Sequence, residues 1–154
     1  MAPLVALLAV VWLVWLLTAP FLSTPLSSAA YLIGSLVCHQ LPARSFHLGG
    51  SQVPVCARCL GIYAGSAVGA VIGAAVWSAR RATPAAPMSR RTVRATLAIV
   101  AAPTLLSVLL ETADVWRTTN VERAVAGLPL GLGAALVVVS VLATLHYKRD
   151  NTPT

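Results

Sequence analysis

Two short runs of the sequence, Cys38-His39-Gln40-Leu41-Pro42 and Cys56-Ala57-Arg58-Cys59, hold all three cysteines and one of the three histidines, and a second, His47, lies between them. Cys-x-x-Cys spacing puts two sulfurs on one side of a tight turn, which is half of a tetrahedral metal site. The pair also opens an apolar stretch that reads as a helix. A helix N-terminus favours the thiolate a metal needs, and Arg58 adds positive charge between the two cysteines. Cys38 stands 18 residues before Cys56, close enough for the intervening loop to fold it back. Three thiolates and one histidine make a Cys3His zinc site, with Cys38, Cys56, Cys59 and His39 as ligands. Other transition metals suit the same donors. Adjacent residues often point apart, so Cys38 and His39 need a special turn to share an ion. His47 is the alternative fourth ligand. A water there would leave an open position, as in catalytic sites.

The same residues have a redox reading. Cys56 and Cys59 could cycle as a disulfide, with Cys38 as a third thiol for exchange, which makes a membrane thiol-disulfide oxidoreductase. Three cysteines cannot all pair within one chain, so a purely structural disulfide framework is disfavoured, and one disulfide plus a free thiol stays open. Iron–sulfur and haem ligation are disfavoured, because no second cysteine cluster or haem-attachment motif is present.

The elements that position these residues must be membrane helices. The 154 residues are 58% hydrophobic and only 10% charged, with a mean hydropathy of +0.83. Soluble domains carry about 25% charged residues. The fold class expected is all-α: one membrane domain, residues 1–154, built as a bundle of four transmembrane helices. The spans fall at about 3–22, 57–77, 95–111 and 124–146, each near the roughly 20 residues needed to cross. The first lacks the basic n-region of a signal peptide, and Leu17-Thr18-Ala19 is a poor cleavage site, so it reads as a retained helix. Leu26 to Val37 is too short to span and suits an interfacial or re-entrant helix, with Thr24 as N-cap and Pro25 at its first position. The Cys-His segment 38–59, with Pro42, Gly49-Gly50 and Pro54, reads as a loop. Glycines 61, 65, 69 and 73 share one face of the second span. Gly127, Gly131 and Ala135 repeat the spacing in the fourth, so these two spans are expected to pack together. The same glycine faces could also join copies into a homo-oligomer. Pro103 is expected to kink the third span.

The net charge of +7 and the pI near 10.4 fit lipid headgroups better than nucleic acid, since no basic-aromatic surface is available. Residues 79–94 and the C-terminal tail carry seven of the eleven Lys and Arg. The positive-inside rule then puts both termini in the cytoplasm of a multi-pass plasma-membrane protein. The Cys-His loop and the polar connection 111–123 both fall on the extracytoplasmic face and could form one composite site. Arg44 and Arg58 could meet an anionic headgroup or substrate there. Glu111 is expected to pair with Arg123 or Arg117, and Asn120 to cap the fourth helix. No span carries an ionisable residue deep in its middle, which argues against a transporter.

Cys38-His39-Gln40-x-Pro42-x-Arg44-Ser45-Phe46, followed by Pro54-Val55-Cys56-Ala57-Arg58-Cys59-x-Gly61-Ile62-Tyr63-x-Gly65, resembles a family of small prokaryotic membrane proteins, domain of unknown function 2085. A second segment is similar too: Pro103, then Thr119-Asn120-x-x-Arg123-x-x-x-Gly127-x-x-x-Gly131. The matching segments run from about residue 36 to 133. The resemblance implies a membrane protein with the Cys-His motif as its signature, and it gives weight to Asn120 and Arg123. It implies no particular activity. The family tends to carry Asp where this chain has Ser107, and often Gln where it has Glu111. If that Asp serves a shared activity, this chain has lost it or uses Glu111 instead.

Overall fold

The computed structural model describes residues 1–79 and 88–150. Arg80 and Arg81, which contribute to the expected orientation, lie outside the described residues, as do the side chains of His146, Lys148 and Arg149. The chain forms α1 (Ala2–Thr18, extended by a 3-10 turn at Ala19–Phe21), α2 (Thr24–Val37), a 3-10 turn at Pro42–Arg44 and a hairpin of β1 (Ser45–Leu48) and β2 (Ser51–Cys56). Then come α3 (Ala57–Ala79), α4 (Arg90–Thr112) and α5 (Asn120–Asp150). Among the described residues four helical segments are long and apolar enough to cross a membrane: Ala2–Phe21, Ala57–Ala79, Arg90–Thr112 and Asn120–Leu145. The helical bundle expected from the sequence is therefore present.

The centre of the bundle is the seam between α3 and α5. A Cβ added at Gly61 would strike the carbonyl of Ala124, and one at Gly131 would strike the carbonyl of Ile62. Only glycine lets the two backbones touch in this way. Ser66 Oγ donates to the Gly131 carbonyl across the same seam, at 3.3 Å. Lipid offers no hydrophobic drive for helices to associate, so close backbone packing of this kind holds the pair. The glycine faces, on which association between copies is also expected above, are filled within the one chain. Ala2 and Ala6 of α1 join Ala70 and Ala74 of α3 and Ala135 and Val139 of α5 in one buried cluster. α4 rests on α5, where Thr104 Oγ1 donates to the Ala126 carbonyl at 2.7 Å. Leu7, Ile99, Leu105, Leu109 and Leu145 stay exposed on the outside of the bundle, the surface that meets acyl chains.

The principal departure from expectation lies at 38–59. The expected loop contains an antiparallel hairpin, with Leu48 opposite Ser51, His47 opposite Gln52, Ser45 opposite Cys56, and an irregularity between Ser45 and His47. Gly49 and Gly50 turn it with φ of +57° and +82°, the paired positive φ values a two-residue hairpin turn demands. Pro54 masks the strand in the sequence, because proline cannot donate to a ladder. In a two-stranded ribbon it needs only a side without a partner strand. α2 lies against β2: Tyr31 hydroxyl donates to the Gln52 carbonyl, and Gly34 abuts the Pro54 carbonyl. Its other face exposes Leu32, Leu36 and Val37, as suits an interfacial helix. Ser23 is the N-cap of α2, one residue earlier than expected, so Thr24 already belongs to the helix.

Candidate metal centre

α2 ends at Val37, and Cys38 leaves it in an extended conformation, φ −147° and ψ 140°. Extended backbone sends successive side chains to opposite sides. Cys38 consequently points inward, 9% exposed, while His39 is exposed. Cys56 is the last residue of β2 and Cys59 sits in the first turn of α3. The three sulfurs lie within 4.8 Å of one another. The Cys56 backbone N–H donates to Cys38 Sγ at 3.1 Å. Leu16, Val53 and Val55 are buried with Cys38 and Cys56, and Trp12, Phe46, Leu48, Leu60 and Tyr63 pack around them.

Gln40 builds this junction. It takes a positive φ of 50°, which turns its side chain back under the strand. Its amide nitrogen donates to the carbonyls of Tyr31, at 2.8 Å, and Pro54, at 2.6 Å. The Gln52 amide returns a bond to the Gln40 carbonyl at 2.7 Å and reaches Ser45 Oγ at 3.2 Å. These bonds fix the end of α2 to β2 and so bring Cys38 to Cys56. Sequence reasoning missed Gln40, Gln52 and Ser45; the signal was the place of Gln40 two residues after Cys38 in the motif.

The thiol of Cys56 is pushed down to about 5, chiefly by the hydrogen bond from the Cys59 thiol, against the opposing effect of burial. The Cys59 backbone N–H, the Cys38 side chain and the charge of His39 act in the same lowering direction. A sulfur that is ionised at neutral pH and bonded by neighbouring donors is suited to ligate a metal.

His39 lies outside the sulfur cluster, and its Nδ1 accepts the Leu41 N–H at 3.2 Å. His47 is also exposed, on the strand face opposite to that of Phe46 and Leu48, which pack against the cluster. Arg44 is exposed beside β1. Arg58 departs from its place between the cysteines. Its guanidinium reaches α4, where Nη2 donates to Ser107 Oγ at 3.1 Å and Glu111 Oε2 at 3.2 Å. Arg123 Nε meets Glu111 Oε1 at 2.7 Å, and Thr118 hydroxyl donates to the same oxygen. Arg123 also donates to Asn120 Oδ1 at 2.8 Å, and Asn120 Nδ2 donates to the Ser45 carbonyl at 3.0 Å.

A chain of polar contacts thus runs from the hairpin through α5 and α4 back to the Cys-x-x-Cys turn. The side chains of Arg58, Glu111 and Arg123 are 14%, 7% and 13% exposed. Arg117, the other expected partner of Glu111, pairs with Asp114 in solvent at 3.5 Å. The capping role expected of Asn120 belongs to Thr119 and Glu122. Thr119 Oγ1 accepts the Glu122 N–H at 3.2 Å, and Glu122 Oε2 accepts the Thr119 N–H at 2.6 Å, a capping box.

The family is now decidable. A family model described as "predicted membrane protein", domain of unknown function 2085, matches residues 38–137, which span the hairpin, the sulfur cluster and the polar contacts. The chain belongs to this family. An uncharacterized protein of Methanothermobacter thermautotrophicus is 31% identical over 101 residues, covering 66% of this chain and 83% of that protein. An uncharacterized protein of Methanocaldococcus jannaschii is 51% identical over 47 residues, 30% of this chain. Those 47 residues are likewise only 30% of that relative's length. No solved structure matches the chain. Ser107 and Glu111 share a partner. Both positions contact the same nitrogen of Arg58, one helical turn apart, so Ser107 with Glu111 keeps a carboxylate within reach of that guanidinium.

Proposed function

We propose that this membrane protein binds a transition-metal ion, zinc first, on the thiolates of Cys38, Cys56 and Cys59. The observation that carries the reading is the mutual approach of three sulfurs within 4.8 Å, although they come from two segments 18 residues apart. Zn–S bonds of about 2.3 Å set sulfurs roughly 3.8 Å apart in a tetrahedron, so an ion would draw no pair of sulfurs in by more than about 1 Å. The low thiol of Cys56 and the N–H donor on Cys38 support the same reading, since both favour thiolate over thiol. His39 is the nearest histidine in sequence, and its exposed ring would have to turn inward to join.

The site would sit at the extracytoplasmic face of the plasma membrane, with both termini in the cytoplasm. Charge supports this orientation. On the cysteine side Arg44, Arg58, Arg117 and Arg123 are offset by Glu111, Asp114 and Glu122, and of the four arginines Arg44 is the exposed one left to meet an anionic headgroup. Arg90, Arg91 and Arg94 gather at the far end of α4. Metal analysis of the purified full chain tests the proposal. About one zinc per chain is expected, lost on Cys56→Ser and on Cys38→Ser. A folded wild-type protein without stoichiometric metal would overturn it.

The runner-up, a thiol-disulfide oxidoreductase, draws on the same low thiol. It predicts a Cys56–Cys59 disulfide that forms and is reduced reversibly. Alkylation with mass mapping separates the two, because thiols that oxidise only after a chelator is added belong to a metal site.

A further inference from the structure

The polar contacts at the cysteine end of the bundle leave one charge unmatched. Arg58, Glu111 and Arg123 are all largely buried, two guanidiniums against one carboxylate. The other acidic groups of that end do not make up the difference. Asp114 closes on Arg117 in solvent, and Glu122 is exposed and bonded to Thr119. One positive charge therefore stays inside the protein, where an unpaired charge is costly.

The hydrogen bonds show the same shortage. Nε and Nη2 of a guanidinium share the edge that fits the two oxygens of one oxyanion. On Arg58, Nη2 has two acceptors, Ser107 Oγ and Glu111 Oε2, while Nε is buried with none. Glu111 cannot complete that fork, because its Oε1 already accepts from Arg123 Nε and the Thr118 hydroxyl. Arg58 Nε is the one buried side-chain polar atom without a partner among the described residues. Arg58 Nη1 and Arg123 Nη2 have no acceptor among them either, but these two nitrogens are not sealed from solvent. Three helix ends also meet here, since α3 and α5 begin and α4 closes. Two N-termini against one C-terminus add to the positive field.

We infer that this cluster binds a phosphate oxyanion, supplied by a lipid headgroup or from solution. The anion docks on the open nitrogens of Arg58 and Arg123 and matches the surplus charge. It accepts the Arg58 Nε–H as the guanidinium turns to meet it. Ser107 leaves the fork open, since a hydroxyl offers one oxygen and no charge where a carboxylate would close it from within. The inference stands apart from the metal proposal, because the Arg58 guanidinium turns to α4 and bonds there.

Equilibrium dialysis of radiolabelled inorganic phosphate against the full chain, delipidated in maltoside detergent, tests it. Wild type should bind about one phosphate per chain. Ser107→Asp supplies the missing carboxylate and should weaken binding at least about tenfold. Its thermal midpoint should not fall, so a lost site is not a lost fold. Arg117→Gln removes a hydrated charge from the same side and should leave affinity unchanged. Short-chain phosphatidylglycerol, followed by native mass spectrometry, is the second arm. Lipid that binds, alone or by displacing the label, assigns a headgroup; label that the lipid leaves in place assigns a soluble anion. A wild type that binds neither probe would overturn the inference, as would undiminished binding in Ser107→Asp. An equal loss in Arg117→Gln would also overturn it, by reducing the binding to general surface charge.

Discussion

The α3–α5 seam and the cap above it hold together by opposite means. The seam works by omission: at Gly61, Gly65 and Gly131 a missing side chain lets carbonyl and Cα surfaces meet. The cap works by addition, since Gln40, Gln52, Asn120, Arg58, Glu111 and Arg123 each present a donor or acceptor to a specific partner. The seam lies where water is absent and polar groups are costly. The cap lies where the helices end and backbone carbonyls need partners. One chain therefore uses packing for its membrane stability and hydrogen bonds for the geometry of its cysteines, and damage to the two regions should differ in kind.

The largest effect is expected at the seam. Gly131→Leu drives a branched side chain into the Ile62 carbonyl and should cost more than about 5 kcal/mol, abolishing the folded bundle. Thermal unfolding in detergent and the yield of monodisperse protein measure it. In the cap, Glu111→Gln leaves Arg58 and Arg123 without their charge partner and should cost about 3 kcal/mol. Adding Ser107→Asp should recover much of that loss, because position 107 reaches the same Arg58 nitrogen. A double variant no more stable than Glu111→Gln would show that the two positions do not exchange roles.

Gln40→Ala should cost about 1–2 kcal/mol and speed alkylation of Cys38 by releasing the end of α2 from β2. In metal-free protein, alkylation of Cys56 should reach half its maximal rate near pH 5 rather than in the usual thiol range. The sign follows from a lowered thiol: the ionised form, and any stability it adds, is present above the unfolded-state value and lost as pH falls through about 5. Cys59→Ala removes the leading hydrogen bond and should move the midpoint upward. The smallest effect is expected from Arg117→Ala, within about 0.5 kcal/mol, because its pair with Asp114 is fully hydrated.

Much of this division is legible in the sequence, for reasons that themselves differ by region. Glycines four apart on residues 61–73 and again at 127 and 131 can only make a close seam, and the seam forms. Cys56 and Cys59 fall together because Cys56 ends β2 directly before α3 and Cys59 closes the first turn of that helix, and Cys38 joins them. The cap is harder to read. Arg58 has a long side chain, and its position between two cysteines says nothing of whether it turns to the sulfurs or to α4. His39 follows Cys38 directly, but the extended backbone there separates them. Pro54 hides a strand that Gly49-Gly50 announces. Thr119 rather than Asn120 caps α5, since the Thr-x-x-Glu spacing fits the reciprocal bonds and leaves Asn120 free for Ser45.

The seam also dictates an order of manufacture. α3 enters the membrane with its glycine face bare, and the helix that fits it, α5, emerges from the ribosome only after α4. For the whole of α4 the growing chain carries an unmatched helix. At its N-terminal end, the Cys-x-x-Cys turn, the Arg58–Glu111 pair cannot be joined by Arg123 until the last span arrives. A chain truncated before α5 therefore lacks both the seam and the lock.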